Sequence, residues 1–536
     1  TAVNVTDSAT VNGTTMAGNS TNGTGVELAG NVSNSNVTGQ GNTAGVNVAG
    51  NVTGGSVNGT SANGTAVNVT DSATVNGTTM AGNSTNGTGV ELAGNVSNSN
   101  VTGQGNTAGV NVSGNVTGGS VNGTSANGTA VNVTDSATVN GTTMAGNSTN
   151  GTGVELAGNV SNSNVTGQGN TAGVNVAGNV TGGSVNGTSA NGTAVNVTDS
   201  ATVNGTDVTG NSTEGAGVNV AGNVTGGSVN GTSANGTGVE LAGNVSNSNV
   251  TGQGNTAGVN VSGNVTGGSV NGTSANGTAV NVTDSATVNG TTMAGNSTNG
   301  TGVELAGNVS NSNVTGQGNT AGVNVAGNVT GGSVNGTSAN GTGVELAGNV
   351  SNSNVTGQGN TAGVNVAGNV TGGSVNGTSA NGTAVNVTDS ATVNGTDVTG
   401  NSTEGAGVNV AGNVTGGSVN GTSANGTAVN VTDSAIVNSS EISGNSTSGT
   451  GVDIAGNVTN GSVNGSSAEG TGVTVSGNTT LNDVVVSGNT TNGTGVNVSG
   501  NLTNEGNSTV SGVASGNGTG VDIAGNVTNG SVNGSS

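Results

Sequence analysis

Apolar side chains recur along the chain in a short alternating pattern. Residues 45–52 read Gly-Val-Asn-Val-Ala-Gly-Asn-Val, so valines alternate with a polar residue before a corner of small residues. Close variants of this stretch open units of roughly 21 residues throughout the chain. Alternation with a period of two is typical of β-strands, and Gly-Asn, Asn-Gly and Gly-Gly pairs interrupt each run. The pattern predicts three short strands and three corners in each unit.

The units are grouped into larger blocks. One 64-residue block occurs three times in nearly identical form, at residues 1–64, 65–128 and 129–192. Residues 193–426 contain the same units in shuffled order, and residues 427–536 contain the most divergent ones. No linker or change of composition separates the units, so we predict a single continuous repeat domain over residues 1–536.

Three related units make up each block and align at their apolar positions. In the first block they are Thr1–Gly23, Thr24–Asn42 and Thr43–Gly64. The positions that coincide are Val3, Val26 and Val46 near the start of each unit, and Met16, Val37 and Val57 near its end. Differences in length fall in Gly/Asn/Ser stretches between these positions, where corners between strands tolerate insertions.

This organisation predicts an all-β fold, a parallel β-solenoid in which each unit forms one turn of a coil. Backbone hydrogen bonds would run to the turns above and below, and right-handed winding is the default for parallel strands. Because side chains alternate across a strand, one set points into the coil and the other points to solvent. We expect Val46, Val48, Val52 and Val57 inside, and Asn4, Glu27 and Asn47 outside.

Composition narrows the classes of function. The 536 residues include no Lys, Arg, His, Cys, Pro or aromatic residue, and the net charge is −23. Such a chain repels nucleic acids and anionic membrane surfaces, and it has no apolar run long enough to cross a bilayer. Low hydrophobicity with high charge also fits a disordered chain, but the strict register of the valines favours a folded one. The chain starts at Thr1, without Met and at the start of a repeat, so we expect a longer protein with separate secretion and anchoring parts.

The acidic residues are the only charged side chains, and they fall into two recurrent positions. One set lies between two inward-facing aliphatic residues and should face outward: Glu27, Glu91, Glu155, Glu240, Glu304 and Glu345. The other set lies in corners, in the sequence Thr-Asp-Ser: Asp7, Asp71, Asp135, Asp199, Asp284, Asp389 and Asp433. The corner aspartates suggest either weak Ca²⁺ binding or solubilising, turn-forming residues, and we favour the second interpretation.

Catalysis has little support in the sequence. General acid–base chemistry depends on tuned titratable groups, and here only carboxylates in a regular array are present. We therefore predict a protein that is not an enzyme, with no catalytic, cofactor-binding or metal-binding residues and no cofactor.

Two stretches carry a resemblance to a known class of proteins. Residues 45–61, GVNVAGNVTGGSVNGTS, and residues 494–512, TGVNVSGNLTNEGNSTVSG, resemble repeat regions of type V-secreted bacterial surface adhesins. That class includes autotransporters and filamentous-haemagglutinin-like exoproteins of two-partner secretion. The resemblance implies a right-handed β-helix, export to the cell surface, and roles in adhesion, aggregation or biofilm formation.

Two main hypotheses of function follow. The first is a structural rod, stalk or filament of an extracellular bacterial adhesin-like protein. The second is an adhesive module that recognises glycans or other copies of itself through Asn/Thr ladders. A third, lower alternative is an ice-binding solenoid, because flat faces with rows of Thr can bind ice.

Overall fold

The fold is a parallel β-solenoid, as the sequence predicts. A computed structural model describes residues 1–6, 10–70, 74–134, 138–198, 203–283, 287–388, 393–432, 436–477 and 479–536. The described residues form β-strands and no helix, in about 24 turns of ~21 residues. They fall into two compact units, Thr1–Gly263 and Asn264–Ser536. A single continuous domain and right-handed winding stay predictions.

Each turn begins with a first strand, and within each unit the first strands form a parallel sheet, which we call the first sheet. Two inward aliphatic residues flank one outward polar residue in these strands, which is the alternation expected of a half-buried strand. The first strands of the unit Thr1–Gly263 are Val3–Val5, Thr24–Leu28, Ala44–Val48, Thr65–Val69, Thr88–Leu92, Ala108–Val112, Thr129–Val133, Thr152–Leu156, Ala172–Val176, Val195–Val197, Val218–Val220, Thr237–Leu241 and Ala257–Val261. Those of the unit Asn264–Ser536 are Thr278–Val282, Thr301–Leu305, Ala321–Val325, Thr342–Leu346, Ala362–Val366, Thr383–Val387, Val408–Val410, Val429–Val431, Val452–Ile454, Val473–Ser476, Thr494–Ser499 and Thr519–Ile523.

A short second strand and a longer third strand follow in each turn, and within each unit they form a sheet that we call the second sheet. In some turns the two strands are continuous through the corner between them, as in Val32–Gly41. The strands of this sheet in the unit Thr1–Gly263 are Val11–Asn12, Thr15–Asn19, Val32–Gly41, Val52–Ser61, Val75–Asn76, Thr79–Ser84, Val96–Ser97, Asn100–Gly105, Val116–Thr117, Ser120–Ser125, Val139–Asn140, Thr143–Ser148, Val160–Gly169, Val180–Ser189, Val203–Asn204, Asp207–Ser212, Val224–Thr225, Ser228–Ser233, Val245–Ser246 and Asn249–Gly254. Those of the unit Asn264–Ser536 are Val265–Thr266, Ser269–Ser274, Val288–Asn289, Thr292–Ser297, Val309–Ser310, Asn313–Gly318, Val329–Thr330, Ser333–Ser338, Val350–Gly359, Val370–Ser379, Val393–Ser402, Val414–Ser423, Ile436–Asn438, Glu441–Ser446, Asn457–Thr459, Ser462–Ser467, Thr479–Asn482, Val485–Thr490, Leu502–Glu505, Thr509–Ala514, Val527–Thr528 and Ser531–Ser535.

Neighbouring turns pair in parallel and in the predicted register. In the first sheet Val3 lies beside Val26, and Val26 lies beside Val46. In the second sheet Met16 lies beside Val37, and Val37 lies beside Val57. The apolar positions that align in the sequence therefore form continuous columns from turn to turn.

The core is a narrow column of small aliphatic side chains. Val46, Val48, Val52 and Val57 are fully buried, as predicted, and their equivalents are buried in successive turns. Asn4, Glu27 and Asn47 face outward. Because Val, Ala and a few larger side chains fill a thin interior without aromatic residues, this composition suits a coil and not a wide globular core.

The interior narrows where the third strand meets the first strand of the following turn. A glycine stands in the middle of the third strand, and its missing side chain would point inward. A Cβ on Gly39 would overlap the carbonyl oxygen of Gly45, and one on Gly59 would overlap that of Ala66. Only glycine lets the two backbones approach this closely.

The corner between the second and third strands requires a left-handed backbone. Successive turns place Asn34 (φ 48°), Gly54 (φ 68°) and Gly77 (φ 60°) there. Ser439 and Asp483 take the same conformation among the divergent turns, with φ 52° and 54°. Gly and Asn tolerate this region at least cost, which explains why Asn-Ser, Gly-Gly and Asn-Gly pairs mark this corner in the sequence.

Candidate interaction faces

Within each unit the outward residues of the first strands form a column, and we call this set of residues the amide column. Most of its members are asparagines, and several are joined side chain to side chain. In the unit Asn264–Ser536, Asn386 Nδ2 donates to Asn365 Oδ1 (3.1 Å), Asn409 to Asn386 (2.8 Å) and Asn430 to Asn409 (3.0 Å). Every one of these bonds points toward the preceding turn. The column therefore has a direction, with donors facing the amino-terminal end and acceptor oxygens facing the carboxyl-terminal end.

The predicted outward glutamates lie in this same column. They are Glu27, Glu91, Glu155, Glu240, Glu304 and Glu345, and each is half-buried or exposed. Glu91 lies in register between Asn68 and Asn111. Because amides separate the carboxylates, no like charges are stacked directly on one another at this position.

Four of these glutamates accept a hydrogen bond from a threonine of the preceding turn. The donor–acceptor pairs are Thr1–Glu27 (3.2 Å), Thr65–Glu91 (3.3 Å), Thr129–Glu155 (3.4 Å) and Thr278–Glu304 (3.3 Å). In each case the donor lies three residues before the asparagine that pairs with the glutamate. The carboxylates thus fit the column as spaced, solvated groups.

The predicted corner aspartates cannot be placed in the same way. Asp7, Asp71, Asp135, Asp199, Asp284, Asp389 and Asp433 lie outside the described residues. Within the described part of the chain, no group of three or more His, Cys, Asp or Glu side chains is arranged to hold a metal ion.

A second surface, the neutral face, is the outer side of the third strands between Thr15 and Ser189. Three outward positions per strand form three rows: Asn100, Thr102 and Gln104 in one turn are followed by Ser120, Asn122 and Thr124 in the next. The described third strands in this range carry no acidic residue. In a chain of net charge −23 without any cation, this face is an extended sheet surface free of carboxylates.

Shallow grooves run between the rows of the neutral face. One of about 480 Å³ is lined by Thr38, Gln40, Asn58, Thr60 and Asn83, among others. A second, of about 460 Å³, repeats the arrangement one 64-residue block further along, between Thr102 and Gln168. Amide and hydroxyl groups stand in the walls, but most of the exposed lining is apolar, so the grooves suit an uncharged ligand or sheet that has both apolar and hydrogen-bonding surface.

Sequence reasoning missed two sets of residues that shape these faces. The first is the inward glycine of each third strand. The second is a buried serine that closes the corner before the next first strand: Ser61 Oγ accepts from Gly64 N (3.0 Å) and donates to the Asn42 carbonyl (3.0 Å). The recurrent spacing Val-x-Gly-x-Ser-x-x-Gly was the available signal for both.

Comparison with protein-family models and with curated proteins finds no match to this chain. The part of the chain that the structure describes has no helix long and apolar enough to cross a lipid bilayer.

Proposed function

We propose that this chain is a structural scaffold, a rod or stalk of an extracellular bacterial adhesin-like protein. The solenoid fold is compatible with a rod. The resemblance of residues 45–61 and 494–512 to repeat regions of secreted surface adhesins supports placement at the cell surface. A spacer needs length and stiffness, and stacked turns supply both without site-specific chemistry.

The observation that carries this proposal is that turns of different types are interchangeable. In the regular order, Val26 pairs with Val46. In the shuffled part, Val195 pairs with Val218 and Val218 with Val239, in the same register, although the order of the units has changed. Because turns of one type are followed by turns of different types in the same register, units can be added or removed while the rest of the coil is kept.

Deletion of one whole block tests the scaffold role. Removal of residues 65–128 takes out three complete turns and should shorten the particle by roughly 14 Å, while circular dichroism still reports β-structure. The length would be measured in electron micrographs of the purified full chain and of the deletion variant. A matched control deletes residues 65–74, which removes half a turn and should disrupt stacking locally. The proposal would be contradicted if particles of the deletion variant were as long as those of the full chain, or if the circular dichroism reported helical structure.

Placement at the cell surface needs its own test. Antibody against the repeats should label intact cells that make the protein, and externally added protease of broad specificity should remove that label. Labelling only after the cells are permeabilised would contradict an extracellular role.

A second candidate is adhesion through the neutral face, by binding glycans or another copy of the chain. Charge favours this face, because two copies that meet there bring no carboxylates of the third strands together. Sedimentation of the free chain and a screen of neutral glycans would detect either mode. Thr102→Asp together with Thr166→Asp should abolish assembly or binding, whereas Thr88→Asp with Thr152→Asp, on the first sheet, adds the same charge and should not. If the chain stays monomeric and binds no glycan, the adhesive role is contradicted and the spacer role is the proposal that stands.

Ice binding has weaker support in the geometry of the third strands. The middle outward position changes from Thr102 to Asn122 to Ala145 in three successive turns. Described third strands therefore lack the continuous Thr column that an ice-matching face would use. A thermal-hysteresis measurement on the free chain tests this alternative directly.

A further inference from the structure

Asp453 occupies a position in the amide column that is unlike those of the six glutamates. It is the outward residue of the strand Val452–Ile454, in register with Asn430 of the preceding turn and Thr474 of the following turn. Its Oδ1 is buried and has no hydrogen-bond partner. An unpartnered buried carboxylate oxygen is costly and calls for an explanation.

The direction of the column explains why the preceding turn offers this oxygen no donor. Asn430 uses its Nδ2 to donate to Asn409, so its acceptor oxygen is the group left for the next turn. An ionised carboxylate at that place is also an acceptor only, and two acceptors cannot bond to each other. Glu91 meets the same situation and turns to the hydroxyl of Thr65. The corresponding donor for Asp453 is Thr427, and the shorter aspartate forms no such bond.

Among the described residues, no interaction with another titratable group contributes to the raised pKa of Asp453. The neighbouring first strands present Asn430 and Thr474, and the second-sheet strands of the same turn, Asn457–Thr459 and Ser462–Ser467, contain no titratable residue. The acids of this turn and its two neighbours are Glu469, in a corner of the same turn, Glu441, on the second sheet of the preceding turn, and Asp483, in a corner of the following turn, while Asp433 lies outside the described residues. Desolvation by burial raises the pKa of Asp453 above its ordinary value.

We propose that Asp453 is an acid-responsive lock, which takes up a proton from solvent as the pH falls and then donates its O–H to Asn430 Oδ1. Protonation would extend the directed chain of hydrogen bonds Asn365–Asn386–Asn409–Asn430 by one turn, further into the divergent part of the solenoid. The lock makes the turns around Asp453 more stable in acid than at neutral pH. This inference rests on the fold and does not depend on the adhesin-like role.

The sign of the effect follows from linkage. A pKa that is higher in the folded state than in the unfolded state means that the folded state binds the proton more tightly. The stabilisation is therefore fully present below the unfolded value of 3.8 and is lost as the pH rises through the folded pKa.

Two measurements on the full chain test the lock. The first is a titration of the side-chain carboxyl carbon of Asp453 by ¹³C NMR, assigned by loss of its signal in Asp453→Asn. The midpoint should lie above the ordinary aspartate value. The second is hydrogen exchange of the amides around residues 450–475, corrected for the intrinsic effect of pH, which should be about fivefold slower in acid than at neutral pH.

The variants separate the lock from a general charge effect. Asp453→Asn donates an amide hydrogen at every pH and should remove the pH dependence of exchange. Asp522→Asn is the matched control, because residues 518–536 repeat residues 449–467 identically while Asp522 is exposed, and it should keep the dependence. If Asp453→Asn fails to fold, Asp453→Glu should fold, reach Thr427 and also lose the dependence. A midpoint at or below the ordinary value, or a pH dependence that survives at position 453, would overturn the proposal.

Discussion

The near-identical blocks and the divergent turns differ in how completely their buried polar side chains are hydrogen-bonded. In residues 65–192 the described corner hydroxyls are bonded: Ser84 Oγ, for example, donates to the Gly64 carbonyl (2.6 Å) and accepts from Gly87 N (2.9 Å). The described buried side-chain atoms without a partner all belong to two residues of the divergent turns, Asp453 and Asn504. Repetition copies one satisfied arrangement, whereas divergence leaves exceptions that need their own explanation.

Asn504 shows how such an exception arises. Leu481 lies beside Val458 in the aliphatic column, but in the next turn the residue beside Leu481 is Asn504, which is fully buried. The aliphatic residue of that turn, Leu502, is displaced and lies beside Thr479. A shift of two positions keeps side chains on the same face of a strand, so a polar residue enters the column without disturbing the alternation.

The largest expected effect on stability comes from substituting an inward glycine of a third strand in the near-identical blocks. Gly123→Ala places a Cβ on the carbonyl oxygen of Ala130 and should destabilise these turns by about 3 kcal/mol, measured by urea unfolding. Gly141→Asn is the control, because Gly141 (φ 61°) has open space around it and Asn tolerates this backbone conformation. Equal losses in the two variants would show that glycine is needed only for its conformational freedom.

Replacing the buried polar residue of the divergent part should have a smaller effect and should raise the free energy of unfolding. Asn504→Leu restores the aliphatic column and removes two unpartnered buried atoms, so it should stabilise the chain by about 1–3 kcal/mol. Asn464→Leu makes the same exchange at an exposed position and should bring no gain. A loss of stability in Asn504→Leu would mean that the amide has a specific role in that turn.

Removing one member of the amide column should have an effect of intermediate size on stability. Asn386→Ala removes one bond donated to Asn365 and one accepted from Asn409, and should cost about 1–2 kcal/mol. Asn376, exposed on a third strand, is the matched site, and Asn376→Ala should be close to neutral. Hydrogen exchange in the neighbouring turns would locate the loss, and equal values for the two variants would argue against a structural role for the column.

The smallest effect is expected where an acid in the column already has a donor. Glu91→Gln keeps the shape and an acceptor oxygen for Thr65, so the free energy of unfolding should change by no more than about 0.5 kcal/mol. This near-neutral result, set beside the pH dependence at Asp453, would sharpen the contrast between a supported and an unsupported carboxylate. A large loss in Glu91→Gln would show that charge itself matters in the regular turns.

Much of the fold could be predicted from the sequence because the repeats align themselves. Val26 and Val46 coincide in the aligned units and lie side by side in the sheet. The candidate faces were harder to predict from the sequence. Alternation places Asn47 and Glu27 outside, but it does not show that the amides form hydrogen bonds in one direction. The grooves of the neutral face also depend on four neighbouring turns at once, which no single unit specifies.

The sequence by itself determined the period, the register of the turns and the inward side of each strand, since apolar alternation and left-handed corner residues act locally. Tertiary structure alone decided which glycines lie against a neighbouring carbonyl, which oxygen of the amide column is left without a donor, and why Asn504 is buried. Those outcomes depend on how one turn is seated on the next, because stacking brings together residues about 20 positions apart and fixes the distances between their backbones.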